Sequence, residues 1–132
     1  MMVKCIANDK KDIEPKFWTA VDDYIRKKTP DLLVGGTYIV YGLMIRDGHV
    51  WYLICEEADD DYPKLHLGAF FEPIDLSIPQ EWAVCLKPNN LGQGVSILPK
   101  RWADDPLFLE RLVDDCEESQ DYFRALKASL QA

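Results

Sequence analysis

The spacing of hydrophobic residues changes along the chain, and these changes predict where strands and helices lie. After a short apolar stretch at residues 3–8, apolar residues recur at helical spacing between Phe17 and Ile25. Pro15 suits the first turn of such a helix, and Pro30 ends it because the residue before a proline avoids helical geometry. The pattern predicts a strand followed by one N-terminal helix.

The strongest signal is the run TYIVYGLMIRDGHVWYLICEE at residues 37–57, in which two apolar segments flank Asp47-Gly48. This pair favours a two-residue type I′ turn, so the run predicts a β-hairpin whose loop sets the register. The predicted pairs are Arg46–His49, Ile45–Val50, Met44–Trp51, Leu43–Tyr52, Gly42–Leu53, Tyr41–Ile54 and Val40–Cys55.

Both faces of this hairpin are apolar, unlike a strand pair with one side in water. We therefore expect the hairpin to be central in a curved sheet, to be covered by helices, or to lend one face to a partner. Gly42, between bulky neighbours, predicts a bend or a seat for Trp51.

The rest of the chain adds short strands and then helices. Residues 64–72, 80–87 and 95–99 are predicted strands, separated by turn-forming residues. Asp105-Pro106 is typical of a helix start, and Ser119 is a predicted cap for a second helix. The sequence predicts a single α+β domain over residues 1–132. Its sheet is small, strongly twisted and mainly antiparallel, or forms an SH3-like barrel, with an N-terminal helix and two C-terminal helices.

The balance of basic and acidic residues narrows the classes of partner that the protein is expected to bind. The chain has 15 basic and 23 acidic residues. The first 36 positions hold seven basic and six acidic residues, and the remaining positions hold eight basic and seventeen acidic residues. A net charge of -8 repels phosphate backbones and anionic headgroups, so we expect no nucleic-acid or membrane partner. The charge suits a basic protein partner, although solubility alone explains it equally well.

Targeting signals and cysteine spacing predict the compartment. The start lacks the apolar core of a signal peptide, and no run reaches the roughly 18 apolar residues that span a bilayer, which predicts a cytoplasmic protein. Without a Cys-x-x-Cys pair, the four cysteines are interpreted as small buried hydrophobes, and no cofactor is expected. They are Cys5, Cys55, Cys85 and Cys116.

The hairpin runs into five acids within six residues, and metal binding is the first interpretation to test. An EF-hand loop counted from Asp59 would place Pro63 at its fifth position and Phe70 at its twelfth, so the motif fails and no metal site is expected. Asp75, in an apolar context, could be buried, but a turn hydrogen bond suits it better than catalysis. Cys55 with His66 is the one plausible nucleophile–base pair, and core packing explains both residues more simply.

Two acidic clusters remain as a candidate surface for a basic partner, with neighbouring tyrosines as exposed anchors. Solvated strand and helix ends are an equally good explanation of the charge. The predicted partner-binding residues are Glu56, Glu57, Asp59, Asp60, Asp61 and Tyr62 in the first cluster, and Asp114, Asp115, Glu117, Glu118, Asp121 and Tyr122 in the second.

The runs LLVGGTYIVYGLMIRDGHVWYLICEE, YPKLHLGAFFEPIDLSIPQEW and PKRW resemble a group of small acidic bacterial proteins. The shared features are a Gly before Tyr-x-Val-Tyr-Gly, a WYLI strand, a Tyr-Pro turn and an FFE...D...P..W segment, and they cover roughly residues 33–102. In character this group is similar to the immunity proteins of bacterial toxin systems, including contact-dependent growth inhibition. The shared motif is structural and implies no site residues.

The resemblance implies a non-enzymatic inhibitor that binds and neutralises a cognate toxin domain, basic and nuclease-like, through an acidic surface. The alternative is a homodimeric or peptide-binding interaction module that uses the apolar hairpin. A third hypothesis, a hydrolase, depends on Cys55 and His66. The sequence leaves the toxin and the oligomeric state open.

Overall fold

The computed structural model describes residues 1–26, 30–86 and 94–131. The strands within these residues are β1 (Met2–Cys5), β2 (Thr37–Ile39), β3 (Gly42–Arg46), β4 (His49–Ile54), β5 (Lys64–Leu67), β6 (Phe71–Asp75), β7 (Trp82–Cys85) and β8 (Val95–Pro99). The helices are α1 (Trp18–Ile25), α2 (Lys100–Ala103), α3 (Phe108–Val113) and α4 (Glu117–Gln131). Short 3-10 turns occupy Lys10–Asp12, Pro15–Phe17 and Gly68–Phe70.

The strands form two antiparallel sheets rather than one. The three-stranded sheet has the order β2-β1-β6, and the five-stranded sheet has the order β5-β4-β3-β8-β7. The predicted α+β class is confirmed. Among the described strands the sheets do not close into a barrel. Of the two predicted alternatives, the architecture is therefore the small twisted sheet and not the SH3-like barrel.

The predicted hairpin is confirmed over five pairs, from Gly42 opposite Leu53 to Arg46 opposite His49. At the turn, φ is 53° at Asp47 and 77° at Gly48, the two positive values that a type I′ turn requires. The turn chemistry therefore sets the register, because a slip of one residue would reverse every side chain between the two faces.

The two outermost predicted pairs of the hairpin are wrong. Val40 donates its backbone N–H to the carbonyl of Met1 at 3.1 Å, whereas Tyr41 donates to the carbonyl of Leu53 at 2.9 Å. The chain thus leaves the three-stranded sheet and enters the five-stranded one between these residues. The predicted strand at 64–72 divides in the same way, into β5 and β6. Alternating hydrophobicity does not reveal such a change of sheet, because both sheets bury apolar side chains.

Gly42 lies where the chain enters the five-stranded sheet, which confirms the predicted bend. A Cβ atom there would lie 2.6 Å from Cδ2 of Leu98 and 3.0 Å from Cδ1 of Leu53. The space beside Gly42 is therefore filled by two leucines, and the predicted seat for Trp51 is wrong.

One hydrophobic core joins both sheets to the helices. Its fully buried members include Val3 of β1, Val21 of α1, Leu53 of β4 and Leu112 of α3. The N-terminal helix is confirmed over α1, and its predicted end at Thr29 lies outside the described residues. Helix α4 joins the core through Phe123, whose ring centroid is 5.2 Å from that of Tyr41.

The two predicted C-terminal helices are confirmed, but the predicted cap of the second is wrong. The first of them, α3, begins at Phe108 after Leu107 at the N-cap position, so the predicted start at Asp105-Pro106 is too early by two residues. Asp105 accepts a hydrogen bond from the backbone N–H of Leu107 at 3.0 Å in the turn before the helix.

Ser119 is buried in the first turn of α4. Cys116 directly precedes α4, and its carbonyl accepts the backbone N–H of Gln120 at 2.9 Å, so Cys116 occupies the capping position. Hydrogen bonds from Ser119 lower the pKa of the Cys116 thiol. The short helix α2 was not predicted.

None of the helices in the described ranges is long and apolar enough to cross a membrane.

Candidate functional site

The first acidic cluster follows β4 directly and is called here the acidic loop, residues 56–61. Its first member, Glu56, turns inward, with only 10% of its side chain exposed. Glu56 Oε2 accepts a hydrogen bond from the backbone N–H of Asp31 at 3.2 Å, and Oε1 lies 3.6 Å from Nε2 of His66. Glu56 is therefore an anchor of the loop and does not contribute to an exposed patch, contrary to the prediction.

His66 connects this anchor to the core. Its side chain is 2% exposed, and its Nδ1 is hydrogen bonded to the hydroxyl of Tyr24 on α1. Burial, with a smaller contribution from the charge of Lys64, lowers the pKa of His66 to about 4. The imidazole is therefore neutral near pH 7, and the contact with Glu56 is not an ion pair despite its short distance.

The proton positions in this buried chain follow from the pKa shifts and from the position of Glu56. Burial and the negative charge of Glu56 raise the pKa of Tyr24, so its hydroxyl keeps its proton. The Glu56 carboxylate is too far from Nε2 of His66 for a hydrogen bond, but its charge favours the tautomer of the neutral ring that carries the proton on Nε2. In that tautomer Nδ1 accepts a hydrogen bond from the Tyr24 hydroxyl. Tyr24, His66 and Glu56 thus form a polar chain between α1 and the start of the acidic loop.

The acidic loop is also held from its other side. Asp60 accepts a hydrogen bond from the backbone N–H of Glu57 at 3.1 Å, which closes the loop on itself. The ammonium of Lys127 on α4 donates to the carbonyls of Ala58 at 2.6 Å and Asp60 at 2.9 Å. These contacts leave Glu57, Asp59 and Asp61 with exposed side chains on a fixed loop.

A shallow cleft of about 280 Å³ runs along this loop. Its walls are Asp59, Asp60, Asp61, Tyr62 and Lys64, with the Lys64 ammonium 5.9 Å from the centroid of the Tyr62 ring. Tyr62 is half-buried rather than exposed. Among the described residues, no group of three or more His, Cys, Asp or Glu side chains could hold a metal ion.

The second acidic cluster, residues 114–121, is called here the helix-start cluster because it surrounds the first turn of α4. Three of its acids already have partners: Asp115 accepts from Gln120 at 3.0 Å, and Glu118 and Asp121 form ion pairs with arginines. Glu117 and Glu118 lie in the first helical turn, where negative charge offsets the helix dipole. Most of the cluster is thus explained by the local stability of α4.

Tyr122, the predicted anchor beside this cluster, is half-buried. Its ring centroid lies 5.4 Å from that of Phe108, and the guanidinium carbon of Arg101 lies 4.7 Å from the Tyr122 ring. Burial raises the pKa of its hydroxyl. Tyr122 lines a groove of about 890 Å³ whose other walls include Trp82 and Leu126. It is part of a packed aromatic wall and not an exposed anchor.

Both clusters lie beside α4. The acidic loop contacts α4 at Lys127, six residues after Asp121 and ten residues after Glu117. With a rise of 1.5 Å per residue, these two acids lie about 9 and 15 Å from Lys127 along the helix. A partner would have to extend along α4 to contact both clusters at once.

The residues considered for catalysis have other roles. Burial raises the pKa of the Cys55 thiol to about 12, so it is protonated near pH 7 and is not an activated nucleophile. His66, its proposed base, is engaged by Tyr24 and faces Glu56. Asp75 is exposed and not buried, and it accepts a hydrogen bond from the backbone N–H of Ser77 at 2.8 Å, as expected of a turn residue.

Sequence reasoning missed three residues that shape this site: Tyr24, Asp31 and Lys127. Tyr24 lies within the helical stretch predicted between Phe17 and Ile25, and no local pattern relates it to a histidine 42 positions later. Lys127 lies 67 positions after Asp60, so its contact with the loop depends on how α4 packs.

Comparison with known proteins finds no match: no family model fits the chain, and neither a curated protein nor a solved structure matches it.

Proposed function

We propose that this protein is an immunity-type inhibitor that binds and neutralises a basic, nuclease-like bacterial toxin domain. The observation that carries the proposal is the acidic loop, which presents Glu57, Asp59 and Asp61 to solvent while buried and backbone contacts hold it in place. A solvated strand end needs no such anchors, whereas a docking surface benefits from them.

Anchoring matters because the binding free energy must offset the conformational entropy that is lost when the groups at an interface become ordered. A loop already fixed by Glu56 and Lys127 loses little conformational freedom when a partner binds. Its carboxylates can then accept charge-assisted hydrogen bonds from arginine or lysine. The half-buried ring of Tyr62, which lines the cleft, offers apolar surface for the aliphatic stem of such a side chain.

Charge also supports the class of partner. A nuclease-like domain needs a basic surface to hold a phosphate backbone, and a net charge of -8 attracts that surface and accelerates encounter. The resemblance of residues 33–102 to small acidic immunity-like proteins supports the same class. Such a toxin acts on nucleic acid inside the cell, so the proposal places this protein in the cytoplasm.

The proposed activity is binding and not catalysis. Its support is the protonated Cys55 thiol and the neutral, buried His66, which lack the features of an activated nucleophile and a solvent-accessible base.

A protection assay tests the proposal. The probe is any toxin domain found encoded beside this gene. Cells that produce it receive either the wild-type protein or the double variant Asp59→Lys/Asp61→Lys, and survivors are counted. We expect the wild type to restore growth and the loop variant to lose protection. The matched control, Glu14→Lys/Glu72→Lys, makes the same change in net charge at two exposed acids outside both acidic clusters and should protect.

Two outcomes contradict the proposal. If the wild-type protein does not protect, the immunity-type function is wrong. If it protects and Asp59→Lys/Asp61→Lys protects equally at the same protein level, then the acidic loop is not the docking surface.

A further inference from the structure

A further cleft, of about 580 Å³, lies between α1 and the turn of the hairpin and contains no residue of either acidic cluster. We call it the hairpin cleft. Its walls include Asp23 of α1 and Arg46, Asp47, His49 and Trp51 of the hairpin. Sites for small molecules typically have volumes of roughly 300–1,000 Å³, so the hairpin cleft has a suitable size for a small ligand.

Two buried polar atoms in the walls of the hairpin cleft lack a hydrogen-bond partner. Trp51 is only 7% exposed, and no described residue accepts a hydrogen bond from its indole N–H. Nδ1 of His49 is also buried and likewise has no partner within the described part of the chain. Buried polar atoms in native proteins are nearly always hydrogen bonded, because an unpaired one has lost its water without compensation. Two such atoms in one cleft therefore indicate a site for a polar ligand.

The inner part of the cleft carries positive charge. Arg46 and His49 are opposite each other beside the turn, and Trp51 is two residues after His49, so the three side chains share one face of the hairpin. Arg46 and His49 are half-buried, and the guanidinium carbon of Arg46 lies 4.9 Å from the centre of the Trp51 ring. Guanidinium and indole N–H groups are donors only, so this part of the cleft suits a ligand atom that accepts hydrogen bonds.

The mouth of the cleft carries the opposite charge. Asp23 and Asp47 are both exposed, whereas the inner residues are buried or half-buried. Asp23 already forms an ion pair with Arg26 at 2.5 Å, so Asp47 is the carboxylate that is better placed to receive a cationic group. The charge of the cleft therefore changes from positive inside to negative at the mouth.

A ligand that matches both ends carries a carboxylate and an ammonium group on one small skeleton. The carboxylate accepts hydrogen bonds from Arg46 and from the indole N–H of Trp51, and the ammonium group donates to Asp47. A simple anion would be repelled at the mouth, and a simple amine would leave the indole N–H without an acceptor. We propose that the hairpin cleft binds a small zwitterion of the free amino-acid type. This site is independent of the function proposed for the acidic loop.

An NMR titration with L-alanine tests the proposal, because the indole N–H signal of Trp51 responds to its own hydrogen bonding. The variant Trp51→Phe identifies this signal among those of the four tryptophans. We expect L-alanine to move the signal downfield with a dissociation constant on the order of millimolar, as suits a ligand of about six non-hydrogen atoms. Propionate lacks the ammonium group and ethylamine lacks the carboxylate, so each should bind at least about tenfold more weakly.

Two variants test the two ends of the cleft. Arg46→Met should weaken L-alanine binding by at least about tenfold. Its matched control is Arg101→Met, which removes another arginine that lies over an aromatic ring, 4.7 Å from that of Tyr122, and should leave binding unchanged. Asp47→Asn keeps the turn, because Asn also favours the positive φ of a type I′ turn, and should remove the advantage of L-alanine over propionate.

Three results overturn the proposal. A Trp51 signal that does not move in L-alanine at about 100 mM shows that the cleft holds only water. Propionate that binds as tightly as L-alanine excludes a zwitterion, and an Arg46→Met variant that binds like the wild type excludes the carboxylate contact. The same spectra show whether each variant is folded, and Asp47→Asn decides the question if Arg46→Met is not.

Discussion

The acidic loop and the helix-start cluster have nearly the same composition, five acids beside a tyrosine, but their acids have different physical roles. In the acidic loop, Glu56 is buried against His66 and the backbone of Asp31, and the loop is held by a lysine from a distant helix. In the helix-start cluster, the partners are close in sequence or are exposed arginines. Two similar acidic runs therefore have different roles. One is held by contacts with distant parts of the chain, and the other mainly stabilises the start of a helix.

The largest effect expected of this difference is a dependence of stability on pH. His66 has a pKa of about 4 in the folded state against about 6.5 when unfolded, so the unfolded chain binds the proton first as pH falls. The contribution of His66 to the free energy of unfolding is therefore fully present above about pH 6.5. It is lost as the pH falls towards 4, and the total loss is roughly 3 kcal/mol. Urea denaturation across this range measures the loss.

The variant His66→Gln should lack this part of the pH dependence, and His49→Gln, which changes the other histidine, should keep it. A wild-type profile that matches that of His66→Gln between pH 4 and pH 6.5 would show that His66 is not held neutral by burial.

The next largest effect is a difference in stability between variants that lack a single acid in one cluster or in the other. Glu56→Ala removes the carboxylate that accepts from the backbone N–H of Asp31 and that faces the buried Nε2 of His66, so the free energy of unfolding should fall by about 1–2 kcal/mol. Glu117→Ala removes an exposed carboxylate and should change it by no more than about 0.5 kcal/mol. If chemical denaturation gives equal losses in the free energy of unfolding for the two variants, Glu56 does not anchor the acidic loop in the way proposed.

A smaller effect concerns the lysine that holds the loop. Lys127→Met should lower the free energy of unfolding by about 1 kcal/mol and accelerate amide exchange in the acidic loop, because two carbonyls lose their donor. Arg124→Met is the matched change one turn earlier in α4, where the side chain forms an exposed pair with Asp121. If both variants exchange alike, the loop does not depend on Lys127.

The fold was predictable where local chemistry determines geometry. Asp47-Gly48 requires positive φ at both residues, so the turn and the five inner pairs of the hairpin follow from the sequence. The change of sheet at Val40 and Tyr41 was not predictable, because the residues remain apolar on both sides of it.

The candidate site was predictable only in outline. The position of the acids follows from the end of a buried strand, but their individual roles depend on contacts between distant segments. Nothing near Glu56 in the sequence indicates that His66 and Asp31 meet it, and nothing near Asp60 indicates Lys127. Long-range packing decides which acids anchor the loop and which remain available to a partner.

The central claim is that the acidic loop, and not the helix-start cluster, is the docking surface. The direct measurement is the affinity of the toxin domain for two double variants with the same change in charge, Asp59→Lys/Asp61→Lys and Asp114→Lys/Glu117→Lys. All four acids are exposed in the structure. The account predicts a loss of at least about a hundredfold, or about 2.7 kcal/mol, for the loop variant and a loss of less than about fivefold for the helix-start variant. Equal losses, or a larger loss for the helix-start variant, would contradict it.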